Sequence, residues 1–355
     1  MNKVHFLSGL LVTSLVLLSG CNQVPDLSFE ENDQYEVGRY VWDSQNRRVQ
    51  IQEQQEFPFS RFLEDWEDGE FNGGGEIAVG FEEHLYVTTP VLEERVINLD
   101  PIAFSAAELD FEIGYLGGAA YSEPIDKTFI YDSMESHIYV IHPEKHHVIG
   151  DYPLPYRGSF NGDMAYDFTR EVIYVLVPGD LPAQDIIGVI DARDGSIVKD
   201  IYLDVSEADI QVYEPTSKLF VYDKDGKVLV FDGLNDFELL DEFAVPSQQN
   251  FYVDQAGGQF FVGVTPYDIV TYEAQKAALY GEKIVALDHE YGLYLTVEPD
   301  GGQTKLYALN KAGDAIFGEF EVPMDFESLV WVYTEKGNFV YFYDGATTVW
   351  AYDLW

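Results

Sequence analysis

The chain has 355 residues, 46% hydrophobic and 15% aromatic, enough to bury a sizeable core, so its formal net charge of -43 is a property of its surface and not of a disordered polymer. Sixty-three Asp and Glu against twenty Lys and Arg exclude direct nucleic-acid binding and disfavour anionic lipid surfaces, because a phosphate backbone needs clustered cations. Length alone suggests two or three domains, although closed arrays of repeats exceed that prior as one unit.

The first twenty residues read as a signal peptide. Lys3 precedes an apolar run from Phe6 to Leu18, which is too short for a permanent span of roughly 20 residues and suits a secretory core segment. The run ends at Leu18-Ser19-Gly20-Cys21, a lipobox: small residues admit a signal peptidase between Gly20 and Cys21, and Cys21 supplies the thiol for diacylglycerol. An uncleaved anchor helix with an incidental cysteine is the alternative. Cys21 is the single cysteine of the chain, so the mature protein has no thiol for disulfides and relies on its core and ladder hydrogen bonds. Cleavage removes one charged residue, Lys3, and leaves a net charge of -44. Two or three acyl chains hold a protein at a membrane stably, so the expected attachment is a lipid anchor and not a span. Asn22 follows the cysteine; by resemblance to Gram-negative lipoprotein sorting, this implies the periplasmic face of the outer membrane. Residues 22 to 34 read as a solvated tether with a reach of about 20 Å.

Gly38 to Gln52 reads as the outer part of a β-sheet unit, Tyr40-Val41-Trp42-Asp43 and Val49-Gln50-Ile51 flanking a polar turn. A repeat then fills the chain. Ala120 to Pro124 leads to Phe129-Ile130-Tyr131-Asp132, as Val212 to Pro215 leads to Leu219-Phe220-Val221-Tyr222-Asp223. Third strands follow at Ile138 to Ile141 and Val228 to Phe231, and fourth strands at Val148 to Leu154 and Leu239 to Val245. The second strand recurs at Leu85, Phe129, Ile173, Leu219, Phe260, Leu293 and Phe339, with spacings of 44, 44, 46, 41, 33 and 46 residues. That period matches four-stranded propeller blades of roughly 40 to 45 residues. Turn pairs such as Asp225-Gly226, Asp194-Gly195 and Gly257-Gly258 supply the positive φ that hairpins demand. The fold class predicted is all-β: one β-propeller over residues 35–355, seven blades of mostly four antiparallel strands. A β-sandwich or two tandem β domains share the strand spacing, but seven similar units favour radial repetition. Tyr272 to Tyr280, in the short interval, reads as a helical turn and makes one blade incomplete. The last unit, Val332 to Tyr352, lacks an outermost strand that the N-terminal segment completes. That segment offers two strands where one is missing, so an extra strand or an eighth partial blade both fit.

Leu85-Tyr86-Val87-Thr88-Thr89, Ile173-Tyr174-Val175 and Gly188 to Val198 resemble the YVTN-type repeats of bacterial seven-bladed propellers, a group with surface-layer, periplasmic and lactonase-like members. The resemblance spans roughly residues 37 to 355 and is best over 163 to 204. Thr89 stands where the repeat carries Asn. The resemblance implies fold, not activity.

No Gly-x-Ser-x-Gly elbow occurs, and Gly73-Gly74-Gly75 lacks the Lys and Ser/Thr of a phosphate-cradling loop. His137, His142, His146 and His147 cluster within eleven residues, and His142 and His146 are weak metal-ligand candidates. Neighbours on a strand face opposite sides, so His146 and His147 do not share an ion, and a solvated hairpin explains them better. Asp223-Lys224-Asp225-Gly226 begins like a calcium loop, but Leu234 stands where the bidentate Glu belongs. No cofactor is implied beyond calcium held weakly by acidic runs such as Glu64 to Glu70 or Glu30 to Asp33. Propeller ligands commonly sit over the central channel, among loops that lead into the innermost strands. The ligand-binding candidates there are Tyr121 and Glu123, Asn161 and Asp163, and Asp209 and Gln211. The same residues also fit polar caps on inner strands. With no catalytic set in view, the function expected is a monomeric, non-catalytic binding or scaffold module of the cell envelope, its partner an envelope protein or small ligand. The alternative is a propeller-type hydrolase or lactonase with its site at the channel mouth. The acidity is expected to maintain solubility in a saline habitat.

Overall fold

The computed structural model describes residues 37–43, 48–55, 77–79, 84–88, 95–100, 105–159, 162–178, 184–205, 207–289, 292–322, 324–326, 329–334, 339–343 and 349–353. The lipobox, the tether, both acidic runs and Asn161 lie outside them. Among the described residues there is no α-helix, and no helix is long and apolar enough to cross a membrane.

Among the described residues twenty-eight strands form seven sheets. Blade 1 holds β3 (Ile77–Val79), β4 (Leu85–Thr88), β5 (Arg95–Asp100) and β6 (Ser105–Glu112). Blade 2 holds β7 (Leu116–Ser122), β8 (Lys127–Asp132), β9 (His137–Ile141) and β10 (Val148–Pro153). Blade 3 holds β11 (Asp163–Asp167), β12 (Val172–Pro178), β13 (Asp185–Asp191) and β14 (Ile197–Leu203). Blade 4 holds β15 (Ala208–Tyr213), β16 (Lys218–Asp223), β17 (Lys227–Asp232) and β18 (Glu238–Ala244). Blade 5 has β19 (Phe251–Asp254), β20 (Gln259–Val262) and β21 (Thr265–Asp268), and blade 6 has β22 (Lys283–Asp288), β23 (Leu293–Asp300), β24 (Gln303–Asn310) and β25 (Ile316–Val322). Blade 7 joins the chain ends: β26 (Val330–Thr334), β27 (Phe339–Tyr343) and β28 (Val349–Asp353) continue into β1 (Val37–Asp43) and β2 (Arg48–Gln55). The innermost strands touch in succession, β3, β7, β11, β15, β19, β22 and β26, and β26 contacts β3. The fold is a seven-bladed propeller.

All seven predicted second-strand anchors fall on second strands. These middle strands pack on both faces, so they need consecutive apolar residues and not alternation. Val172 to Val177 are all buried, and Leu219 to Tyr222 are fully so. Burying one such Val, Leu or Phe side chain is worth about 1.5–3 kcal/mol. Each apolar cluster lies between successive blades: Ala208, Ile210 and Val212 of β15 meet Tyr174, Ile187 and Val189 of blade 3. Their alternates in β15, Asp209, Gln211 and Tyr213, turn the other way, and Tyr213 packs on blade 5. Outer strands are open, as in β18, where Leu239 and Leu240 are exposed.

Two expectations are corrected or resolved. Tyr272 to Tyr280 is not a helical turn; it runs irregularly beside β21, Gln275 N donating to Pro266 O (2.8 Å) and Ala278 N to Val264 O (3.1 Å). Pro266 has no N–H to return, so a regular fourth strand does not form there. The surplus N-terminal strand makes a five-stranded sheet, not an eighth blade. Val37 to Val41 of β1 pair in parallel with Val349 to Asp353 of β28, and β2 then pairs antiparallel outside β1. That arrangement covers the edge of β28.

Candidate functional site

A recess of about 430 Å³ opens at the leading ends of the inner strands, lined by residues of blades 2 to 5. Leu116 and Gly117 begin β7 and Asp163 begins β11, with Tyr115 and Gly162 just before them; Glu207 precedes β15, which carries Asp209 and Gln211, and Lys224 comes from the β16–β17 turn. Three of the predicted ligand-binding residues, Asp163, Asp209 and Gln211, therefore meet. Tyr121 and Glu123 do not join them. They lie at the trailing end of β7, where Tyr121 Oη donates to Asp126 Oδ1 (3.1 Å) in the next turn. A strand spanning the sheet separates its first and last residues to opposite rims, so a candidate set taken from both ends of inner strands divides.

The edge of each inner strand that faces the axis has no ladder partner, and its backbone groups need others. Side chains from the neighbouring blade supply them. Asp163 Oδ2 accepts the N–H of Ile210 (2.9 Å) while its Oδ1 accepts Met164 N–H (2.8 Å). Gln211 Nε2 donates to Phe251 O (2.9 Å), and its Oε1 accepts Val253 N–H (2.7 Å). Gln255 reaches back from blade 5, accepting Glu214 N–H (3.0 Å) and donating to Val212 O (2.5 Å). Asn250 Nδ2 donates to Ile284 O (2.9 Å), carrying the device to blade 6. Gln211 is thus a link between blades with both amide functions engaged, a role that a reading of local pattern missed.

The remaining lining charges define the electrostatics. Lys224 Nζ lies 3.3 Å from Asp209 Oδ1, against three carboxylates, Asp163, Glu207 and Asp209. Burial, with Asp209 adding to it, pushes Asp163 up to about 7; burial also raises Asp209 although Lys224 opposes it. Nearby, burial with Asp223 and Glu207 raises Asp185 to about 6. A carboxyl poised near neutrality can hold or release a proton at physiological pH.

A second polar pair sits between blades 5 and 6. Asp254, 2% exposed, accepts His289 Nε2 (2.8 Å), Ala256 N–H (3.1 Å) and Gly257 N–H (2.9 Å), all on Oδ1, beside a cavity of about 60 Å³. The Asp254 pattern is one of five among the described residues: Asp132, Asp167, Asp232, Asp254 and Asp268 each end a strand and accept the N–H groups two and three residues on. These Asx turns explain part of the acidity as turn capping. A recurrent aromatic or apolar residue followed by Asp was the sequence signal for them. Asp223 Oδ1 likewise accepts Asp225 N–H (3.0 Å), and Gly226 takes φ 105°, as a hairpin requires.

The predicted histidine group is arranged differently from an ordinary strand pair. His146 is in the left-handed region (φ 53°) within the β9–β10 turn, so it is not an alternating strand neighbour of His147. His142 and His147 stack at 5.5 Å, and His146 meets His84 of blade 1 at 4.5 Å. Among the described residues no group of three or more His, Cys, Asp or Glu is placed to hold a metal ion.

No protein family matches the chain, and no curated protein matches it significantly. Among solved structures, a chain in the crystal structure of the mitotic checkpoint complex is similar, with a TM-score of 0.61 at 10% identity, covering 82% of this chain and 92% of that one. Kuenenia stuttgartiensis hydrazine synthase matches at a TM-score of 0.47 and 14% identity, covering 70% of this chain and 83% of that one. At 10% identity the first likeness shows the β-propeller fold alone.

Proposed function

We propose that this protein is a lipid-anchored, non-catalytic binding module of the cell envelope whose ligand seats in the recess at the leading ends of β7, β11, β15 and β19. One observation carries the reading: the recess walls are held by hydrogen bonds between blades while Glu207, Asp209 and Lys224 bring charge to its lining. A pocket whose shape is fixed before binding loses little entropy on closing around a ligand. The lipobox ending at Gly20 and Cys21 supports the anchor, and Asn22 supports the outer membrane as its address.

A hydrolase reading has one point in its favour, the near-neutral Asp163, which suits a proton acceptor at the channel mouth. One experiment separates the two. The protein is recovered from detergent-solubilised envelope beside a Cys21→Ser control, and the soluble form is assayed for ester and lactone turnover. Recovery of a defined partner without turnover is expected; turnover with no partner would overturn the binding reading. Labelling with a fatty acid tests the anchor, and label retained after Cys21→Ser would refute it.

A further inference from the structure

The recess is too large and too well supplied with carboxylates to be a structural void. Its volume of about 430 Å³ is more than ten times the roughly 30 Å³ that a water occupies, room for a chain of several heavy atoms. Leu116, Tyr115 and Phe251 give it apolar wall, and three carboxylates outweigh Lys224 at its polar side. The wall between blades 2 and 3 is packed so closely that two of its positions admit only glycine. A Cβ on Gly162 would fall 2.4 Å from Ser133 Cβ and 3.2 Å from its Oγ, and one on Gly117 would fall 2.5 Å from the Tyr131 ring. Ser133 is 1% exposed, and its Oγ has no hydrogen-bond partner among the described residues.

We propose that the ligand of this recess is an alkylammonium, its charged end among Asp163, Glu207 and Asp209 and its stem against Leu116, Tyr115 and Phe251. The inference rests on the binding reading above and names the ligand class. An ammonium has three N–H donors and no acceptor, which suits a site rich in acceptors and poor in cations. A bare metal ion suits it less. Hard cations such as calcium ask for six to eight oxygens, and among the described residues no group of three or more His, Cys, Asp or Glu is placed to hold a metal ion. An ammonium also relieves the repulsion between Asp163 and Asp209. The groups that face Asp163 are Asp209, Lys224 and Tyr131, and of these Lys224 alone favours its charge. Below neutrality the ligand must therefore displace a proton.

The test is calorimetric titration of the full chain at 0.15 M salt with n-butylammonium, n-butanol and butyrate as probes. Butylammonium is expected to bind, butyrate not, with affinity falling about tenfold from pH 8 to pH 6 as Asp163 takes up its proton. Asp209→Asn and Glu207→Gln should each weaken binding about tenfold, and Glu273→Gln, on the irregular edge of blade 5, should not. Equal loss in all three variants would reduce the effect to net charge and overturn the proposal. Butanol or butyrate perturbing Tyr115 and Phe251 resonances where the amine does not would overturn the ligand class and leave the recess reading standing. No probe perturbing them would remove both. Two sources share this chemistry, a free polyamine and a lysine side chain of a partner protein. Putrescine and a lysine peptide, with its acetyl-lysine form as control, distinguish them; binding of the acetylated peptide at full strength would count against the proposal.

Discussion

The Asp163 carboxylate accepts the backbone N–H of Ile210 at 2.9 Å, tying the innermost strand of one blade to that of the next. The same carboxylate borders the recess, so a group that stabilises the ring also sets the charge of the candidate site. Structure and site are coupled there through one titratable side chain.

The coupling has a sign. Asp163 is raised to about 7 and Asp185 to about 6 in the fold, against about 3.9 in an unfolded chain. A raised carboxyl holds its proton more tightly when folded, so its stabilisation is complete below about pH 4 and is lost as pH climbs through the folded value. Asp163→Asn should start below the parent near pH 4, because an amide accepts only one of the two N–H groups, and gain on it towards pH 8 by on the order of 1–2 kcal/mol after solvent screening. Urea midpoints across that range measure it, and two parallel curves would contradict the assignment.

Gln211→Leu removes both hydrogen bonds from β15 to β19 and leaves Phe251 O and Val253 N without their partner. A loss of about 1–3 kcal/mol is expected, with the strand content by circular dichroism unchanged. An unchanged unfolding midpoint would show that water replaces the amide without penalty.

Gly257→Ala should be worse than Gly292→Ala. A Cβ at Gly257 would lie 1.9 Å from Asp254 Oδ2 and 2.9 Å from His289 Cε1, whereas Gly292 has open space around it and only its φ of +65° to resist. Overpacking at the first is expected to cost about 1–3 kcal/mol, and backbone strain at the second about 1 kcal/mol. Thermal unfolding of the two variants ranks them; the reverse order would mean that Asp254 moves aside freely.

Deleting residues 22–55 strips β1 and β2 from blade 7 and bares the edge of β28. Lower melting temperature and self-association are expected, since an exposed strand edge pairs with whatever strand it meets. Deleting 22–34 alone should change neither. Light scattering and thermal scans on both truncations check this, and a monomeric, equally stable long truncation would disprove that the N-terminal strands close the ring.

The blade count was legible because a strand packed on both faces must be apolar at successive positions, and runs such as Phe129 to Tyr131 and Leu219 to Tyr222 stand out wherever they recur. The irregular outer segment of blade 5 was less so. Its Glu, Ala, Gln, Lys and Ala residues have helical propensity, but hydrogen bonds to Pro266 and Val264 hold them irregularly beside β21, and tertiary context prevails over local preference.

The candidate site divides the same way. By itself the sequence determined that Asp163 and Asp209 lie where loops enter inner strands and that a net charge of -43 is carried by a folded chain. Which of those charges cap turns, as Asp132 and Asp232 do, follows from neighbours two and three residues away and is a local matter. Which ones meet across blades does not. Asp163 and Ile210, or Gln211 and Val253, are more than forty residues apart, and their contact depends on where the ring places one unpaired strand edge against the next. No periodicity encodes that pairing, so only the tertiary structure could decide that Gln211 is a link and that Tyr121 and Glu123 belong to the opposite rim.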